Sequence, residues 1–245
     1  MLNKIKSFLY GFLMLHALWF FGTYVVNERL IPSPIIVYAS MDLDFWSNMI
    51  GHIGASLWRL FFAMSISILI GLILGLIMSQ TKIGAKLLNP FIYFTYPIPK
   101  MAFLPIVMLS VGLGNPTIIT MIILIIVFQI IINVRDGISS IPEENYHILT
   151  VLGANKWQLF KDITLPAALS QILSSTRVAL GTATAILFIT ETNGTRYGVG
   201  HFIMNAQTRI NYVDMLAGIV VLSILSFLLF LFIDTIAAIF MKWNK

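Results

Sequence analysis

The chain has 245 residues, 58% of them hydrophobic and 10% charged, with 15 Lys and Arg against 10 Asp and Glu for a formal net charge of +5. Soluble domains average about 25% charged residues, so this composition excludes a soluble enzyme. It describes an all-α polytopic membrane protein whose length is consumed by spans of roughly 20 residues each. The absence of cysteine excludes structural disulfides and thiolate metal sites.

Six apolar stretches read as spans: residues 8–26, 60–78, a Pro-broken segment 96–111, 117–134, 167–190 and 216–241. Lys4 and Lys6 before the first run imitate a signal peptide, yet the run is long for a signal core and no A-x-A cleavage site follows, so a retained helix is expected. The bilayer is thus the first partner. Lys4, Lys6, Lys82, Lys86, Arg135, Lys156, Lys161, Lys242 and Lys245 fall on one side, and Arg29, Arg196 and Arg209 on the other, with Arg59 near the outer boundary. Basic residues favour the cytoplasm, which predicts cytoplasmic N- and C-termini. The positive charge is then topogenic and matched to anionic lipid, and needs no nucleic acid.

The second span carries Gly71-x-x-x-Gly75, a close-packing seam. Residues 91–96 read as an aromatic interfacial belt, which puts Lys100 near the cytosolic boundary, either snorkelling to water or serving as a pore charge. Gln129, Asn133, Ser174, Ser175, Thr182 and Thr184 are expected to bond between helices. The histidines lack metal-ligand spacing, and His16 and His52 read as interfacial or packed.

Residues 135–166 form a polar insert between the fourth and fifth spans, and such a segment has to stand in water. Ser140-Ile141-Pro142-Glu143 matches a capping box, predicting a helix from there to about Leu152. Gly153 ends it. Asn155-Lys156-Trp157-Gln158 is a second capping box, opening a helix that presents Trp157, Phe160 and Ile163 at helical spacing. Those apolar groups require either a partner or the chain's own membrane domain. Leu165-Pro166 then starts the next span, with proline where its missing N–H costs nothing.

Charges inside spans are functional candidates. Arg177 should lie roughly 16 Å beyond Pro166 along the fifth helix, and Asp234 roughly 12 Å before Lys242 in the sixth. Arg177 is either an anion-attracting pore charge or half of an ion pair with Asp234. Glu191, at the outer end of the fifth span, fits an outer gate or a contact with an outer partner. The chain lacks G-x4-G-K-[ST], so it does not itself hydrolyse nucleotide. These charges alone leave open an ion-coupled secondary transporter or channel, although no clear internal repeat is present.

The order of the motifs narrows this. Gly153, nine residues, then Ile163-Thr164-Leu165-Pro166 resembles the G-x9-[IV]-x-L-P half of the EAA loop of binding-protein-dependent ABC importer permeases. Ile31-Pro32-Ser33-Pro34, His52 with Ser56-Leu57-Trp58-Arg59, Pro97-Ile98-Pro99-Lys100-Met101-Ala102-Phe103-Leu104-Pro105 with Gly112-Leu113-Gly114, and Glu191 ahead of Gly194 and Gly198-Val199-Gly200 are similar to stretches of the nitrate/sulfonate/taurine-type branch. One departure stands out: His147, Ile148 and Leu149 occupy the EAA positions, so the usual acid is missing, with Glu143 and Glu144 about one turn upstream.

The resemblance implies a type I ABC importer permease fold, with residues 1–56 as an N-terminal transmembrane helix and outer loop and residues 57–245 as the permease core. It implies a cytoplasmic coupling loop at residues 135–166, with Glu143, Glu144, His147, Gly153, Ala154, Trp157, Phe160, Ile163, Leu165 and Pro166 facing the ATPase. Lys100, Arg177, Glu191 and Asp234 are the candidates for the translocation path or intramembrane charge. The implied assembly is a dimer of identical permease subunits, which transport and are not enzymes, in a prokaryotic cytoplasmic membrane. Its partners are a cytosolic ABC ATPase dimer, which uses ATP and Mg²⁺, and an extracytoplasmic solute-binding protein. The permease binds no cofactor, and the solute is a small oxyanion such as nitrate, a sulfonate or taurine.

Overall fold

Within hydrocarbon a backbone has to satisfy its own N–H and C=O groups, and the apolar runs of this chain do so as helices. The computed structural model describes residues 2–240. Its elements are α1 (Leu2–Val26), α2 (Pro34–Ala39), α3 (Leu43–Gln80), α4 (Lys82–Thr95), a 3₁₀ turn (Lys100–Phe103), α5 (Leu104–Val111), α6 (Asn115–Ser139), α7 (Glu143–Val151), α8 (Lys156–Leu159), a π turn (Phe160–Thr164), α9 (Leu165–Glu191), α10 (Val199–Thr208) and α11 (Tyr212–Phe240). Position 241, Lys242, Lys245 and the Lys4 side chain, used above for a span end and the charge count, lie outside the described residues and side chains.

Among the described residues, five helical runs are long and apolar enough to cross a membrane: α1, α3, α6, the path Lys156–Glu191, and α11. The pair Lys82–Thr95 and Lys100–Val111, bent by 82°, makes a sixth if counted as one span. The predicted third span, 96–111, is therefore only its second limb. Pro97 and Pro99 supply no N–H to continue the ladder of α4, and Pro99 turns the chain at φ −70, ψ 86. α3 is also longer than the predicted 60–78. Its first turns bury Phe45, Met49, His52 and Ser56, a helical stripe too polar to read as a span.

The chain forms two compact units, Met1–Ser56 with Glu191–Leu225, and Leu57–Thr190 with Ser226–Lys245. The core of the second unit is the buried stripe Ile118, Ile122, Ile126, Ile130, Val134 and Ile138 of α6. It packs with Leu60, Ala63 and Met64 of α3 and with Ala168, Ala179 and Ala183 of α9. The seam expected at Gly71 and Gly75 receives α6: a Cβ would lie 2.5 Å from Ile130 Cγ2 at the first and 2.7 Å from Val134 Cβ at the second. Backbone contact this close needs glycine.

Ser175 and Thr182 of α9 correct an expectation that Thr184 meets. Ser175, Thr182 and Thr184 donate to Ile172, Val178 and Leu180 carbonyls of their own helix, because those carbonyls are always within reach. The bond that crosses helices is Ser226 Oγ to Thr184 Oγ1, 3.4 Å.

In the first unit, His16 Nε2 lies 2.6 Å from the Tyr38 hydroxyl and Trp19 Nε1 donates to the Pro32 carbonyl at 3.0 Å, joining α1 to α2 and the segment before it. Phe45 of α3 meets Phe202 of α10 edge to face, with ring centroids 5.8 Å apart. Edge-to-face contact adds to the burial of both rings.

Candidate coupling loop and buried charges

α6 ends at Ser139, where the Ser140 N–H bonds the Asp136 carbonyl and the Ile141 N–H bonds the Ile138 carbonyl. Ser140 Oγ donates back to the Gly137 carbonyl. The capping box expected at Ser140 is thus not formed, since the preceding helix uses that serine. Pro142, at φ −58 and ψ 137, takes the N-cap position without a side-chain bond, and α7 starts at Glu143. Glu143 and Glu144 lie in its first turn, where negative charge favours the helix dipole.

The end of α7 is closed by two bonds, Gly153 N–H to the Thr150 carbonyl (3.0 Å) and Ala154 N–H to the Leu149 carbonyl (2.9 Å). This is the paired pattern that ends a helix on a left-handed residue, and Gly153 has φ +86. The next helix opens as expected: Asn155 Oδ1 accepts from the Gln158 N–H (2.9 Å), and Gln158 Oε1 accepts from the Asn155 N–H (2.7 Å). Tyr146 and Thr164 hydroxyls, 3.1 Å apart, tie α7 to the returning chain.

Pro166 does not start a separate helix. The path is continuous from Lys156 to Glu191, interrupted by the π turn, in which the Leu165 N–H reaches the Phe160 carbonyl. A proline inside an α-helix lacks one bond and crowds the carbonyl four residues back, and widening the preceding turn relieves both. The widening also separates residues expected on one face. Trp157 and Phe160 stack at 5.6 Å, whereas Ile163, with Ile148 and Leu149, lines a cleft of about 630 Å³ against α6 and α9. At the tip, Val151, Leu152 and Trp157 are 87%, 77% and 68% exposed. His147 is exposed on α7.

The intramembrane candidates are placed differently from one another. Lys100 does not snorkel: it is buried, and Nζ donates to the Thr95 and Tyr96 carbonyls at 3.0 Å each, 4.6 Å from the Phe128 ring centre. It caps the unsatisfied end of α4, where a cation also suits the dipole. Arg59, grouped above with the outer arginines, is buried too, and its Nε donates to Asn115 Oδ1 at 2.7 Å. Arg177 and Asp234 come together, Nε to Oδ1, at 2.5 Å, with side chains 33% and 40% uncovered by protein. Both contacting atoms are shielded from solvent.

Glu191 is 0% exposed, which leaves it no surface for the outer contact, one of the two roles expected of it. Its carboxylate accepts from Ser56 Oγ (2.8 Å to Oε1, 3.0 Å to Oε2) and from the Gly200 N–H (2.8 Å). Ser56 Oγ accepts from the Val199 N–H at 2.9 Å. His52 Nδ1 lies 2.9 Å from the Gly198 carbonyl oxygen and 3.1 Å from the Gly198 nitrogen, donating to one or accepting from the other according to tautomer. Motifs quoted separately, His52 with Ser56 and Glu191 with Gly198-Val199-Gly200, therefore meet in one knot. Pairing across 135 and 146 residues leaves no local signal in the sequence.

The binding-protein-dependent transport system inner membrane component family matches residues 67–244. The chain is 29% identical over 236 residues to the formylaminopyrimidine transport permease protein ThiX of Halalkalibacterium halodurans, covering 96% of this chain and 94% of that one. The taurine transport system permease protein TauC of Escherichia coli is 30% identical over 189 residues, 77% of this chain and 67% of TauC. The fold is similar to that of the MetNI methionine ABC transporter in its inward-facing conformation, with a TM-score of 0.64 at 20% identity, covering 82% of this chain and 98% of the matched one. These matches displace the secondary-transporter reading. Its family match, its multi-pass helices and its capped interspan loop assign this chain to the binding-protein-dependent inner membrane components, as a permease subunit of an ABC importer.

Proposed function

We propose that this permease pairs with a second copy of itself around a path for a small oxyanion, with both termini in the cytoplasm and residues 135–166 docked on a cytosolic ATPase dimer. The chain performs no catalysis and binds no cofactor; the ATPase uses ATP and Mg²⁺, and an extracytoplasmic binding protein delivers the solute. The observation that carries the docking role is the exposed apolar tip Val151, Leu152 and Trp157, held on a turn fixed by Gly153 and the Asn155 cap. A rigid apolar patch rimmed by polar residues is an interaction surface. The oxyanion is supported by the taurine-named relative, a sulfonate transporter by that name, and by exposed Arg196 and Arg209 between α9 and α11.

Alanine at both Trp157 and Phe160 is expected to leave membrane insertion intact and to reduce recovery of the ATPase with the permease about tenfold or more, with loss of uptake. Valine at Gly153, where φ is +86, should act similarly through the turn. Unchanged binding-protein-stimulated uptake in both variants would refute the docking role. Orientation is read separately with single cysteines. Ser139→Cys or Asn155→Cys should react with a membrane-impermeant thiol reagent only after the cytoplasmic side is opened, and Asn211→Cys in intact cells; the reverse labelling inverts the topology.

A further inference from the structure

The connection between α9 and α11, with the first turns of α3, lines a cavity of about 460 Å³ within the first unit. Two guanidinium groups, Arg196 and Arg209, border it, along with the imidazoles of His52 and His201 and the amides of Asn48 and Asn205. Neither guanidinium has a hydrogen-bonding or ion-pair partner among the described residues. The imidazole rings lie 6.2 Å apart and nearly parallel, at 13°. The one carboxylate in the lining, Asp214, serves the start of α11: Asn211 Nδ2 donates to it at 2.6 Å while its own N–H donates to Asn211 Oδ1. Two positive charges thus stand against one negative charge already engaged.

The backbone that places Arg209 is strained. Ile210, between Arg209 and Asn211, has φ 58 and is the only non-glycine residue at positive φ among the described residues. Its N–H bonds the Gln207 carbonyl and the Asn211 N–H bonds the Ala206 carbonyl, an ending of α10 that ordinarily calls for glycine. A β-branched residue there is an outlier, and its exposed side chain gains no packing in return. Strain of this kind concentrates where a site is held in shape.

We propose that this cavity is a binding site on the permease itself for a small oxyanion, a sulfonate or carboxylate, held by Arg196 and Arg209. Planar guanidinium forks match such groups with paired N–H donors, and the amides supply further donors. The assignment as a site for the transported solute rests on the oxyanion reading given above.

The chain has no cysteine, so Asn205→Cys places a single reporter thiol in the lining. In membranes holding the complete importer, methanesulfonate is expected to slow alkylation of that thiol by a neutral maleimide, and dimethyl sulfone, of similar shape without charge, to leave it unchanged. Adding Arg196→Gln and Arg209→Gln should raise the methanesulfonate concentration for half-protection about tenfold or more. The Arg196→Lys and Arg209→Lys pair, which keeps the charge, should raise it less. Equal protection by dimethyl sulfone, or half-protection unmoved by the glutamine pair, overturns the site. Protection that needs added binding protein and ignores methanesulfonate also overturns it, since the guanidinium groups would then serve a protein carboxylate. Mass spectrometry of the solute carried by the binding protein separates the two readings. A neutral solute with sulfonate protection intact overturns the oxyanion substrate and leaves the anion site standing; an oxyanion solute without protection overturns the site alone.

Discussion

Alanine at Gly198 is expected to destabilise the protein by about 2–6 kcal/mol, and the double variant with Glu191→Ala should lose less than the sum of the two single losses. Two separate costs meet at this position. Gly198 has φ +140, a conformation side chains rarely adopt, and a Cβ there would lie 2.4 Å from Glu191 Cδ. Backbone strain costs of order 1–3 kcal/mol and overpacking typically another 1–3 kcal/mol. Glu191→Ala removes the overpacking but leaves Ser56 and the Gly200 N–H without their acceptor, at about 1–3 kcal/mol for each stranded group. Thermal unfolding of the two single variants and the double variant, followed by size-exclusion in detergent, gives the coupling. Strictly additive losses would show that Gly198 is constrained by its backbone alone and that the carboxylate does not fill its place.

For Arg177 and Asp234, removing either partner should cost more than removing both. A lone charge at depth in a span costs at least about 2.5 to 3.5 kcal/mol on insertion scales, and breaking a buried pair strands an uncompensated charge at about 3–5 kcal/mol. The 2.5 Å contact joins α9 to α11, so both effects apply to the same two spans. Arg177→Ala and Asp234→Ala should each lower the yield of folded protein, and the double variant should recover part of it. A normal yield for Arg177→Ala, with loss of uptake alone, would instead make Arg177 a charge of the translocation path.

Hydropathy and local capping made much of this architecture readable in advance, and the misses have physical causes. The Asn155 cap was legible because its donor and acceptor are three residues apart. Ser140 is a capping residue at the same spacing, but the end of α6 uses it first, a competition invisible to a motif. The first turns of α3 and all of α10 escaped a search for spans because their buried stripes include His52, Ser56 and Gly200. Glu191 was read as an outer gate or outer contact, since its partner Ser56 arrives from 135 residues away. Lys100 was expected to snorkel to water or to serve as a pore charge; the bend at Pro97 and Pro99 brought it the open carbonyls of α4.

The π turn at Phe160–Thr164 gives the loop tip an aim that depends on counting. Each α-helical residue advances the face by about 100°, so one residue more or less in that turn would rotate Trp157 by about 100° about the axis of α9 while leaving every side chain of the tip unchanged. Because the helical path runs unbroken from Lys156 into α9, no flexible joint absorbs such an offset. Chain length across these five positions, more than the identity of the residues that fill them, is therefore what indexes the tip to the span.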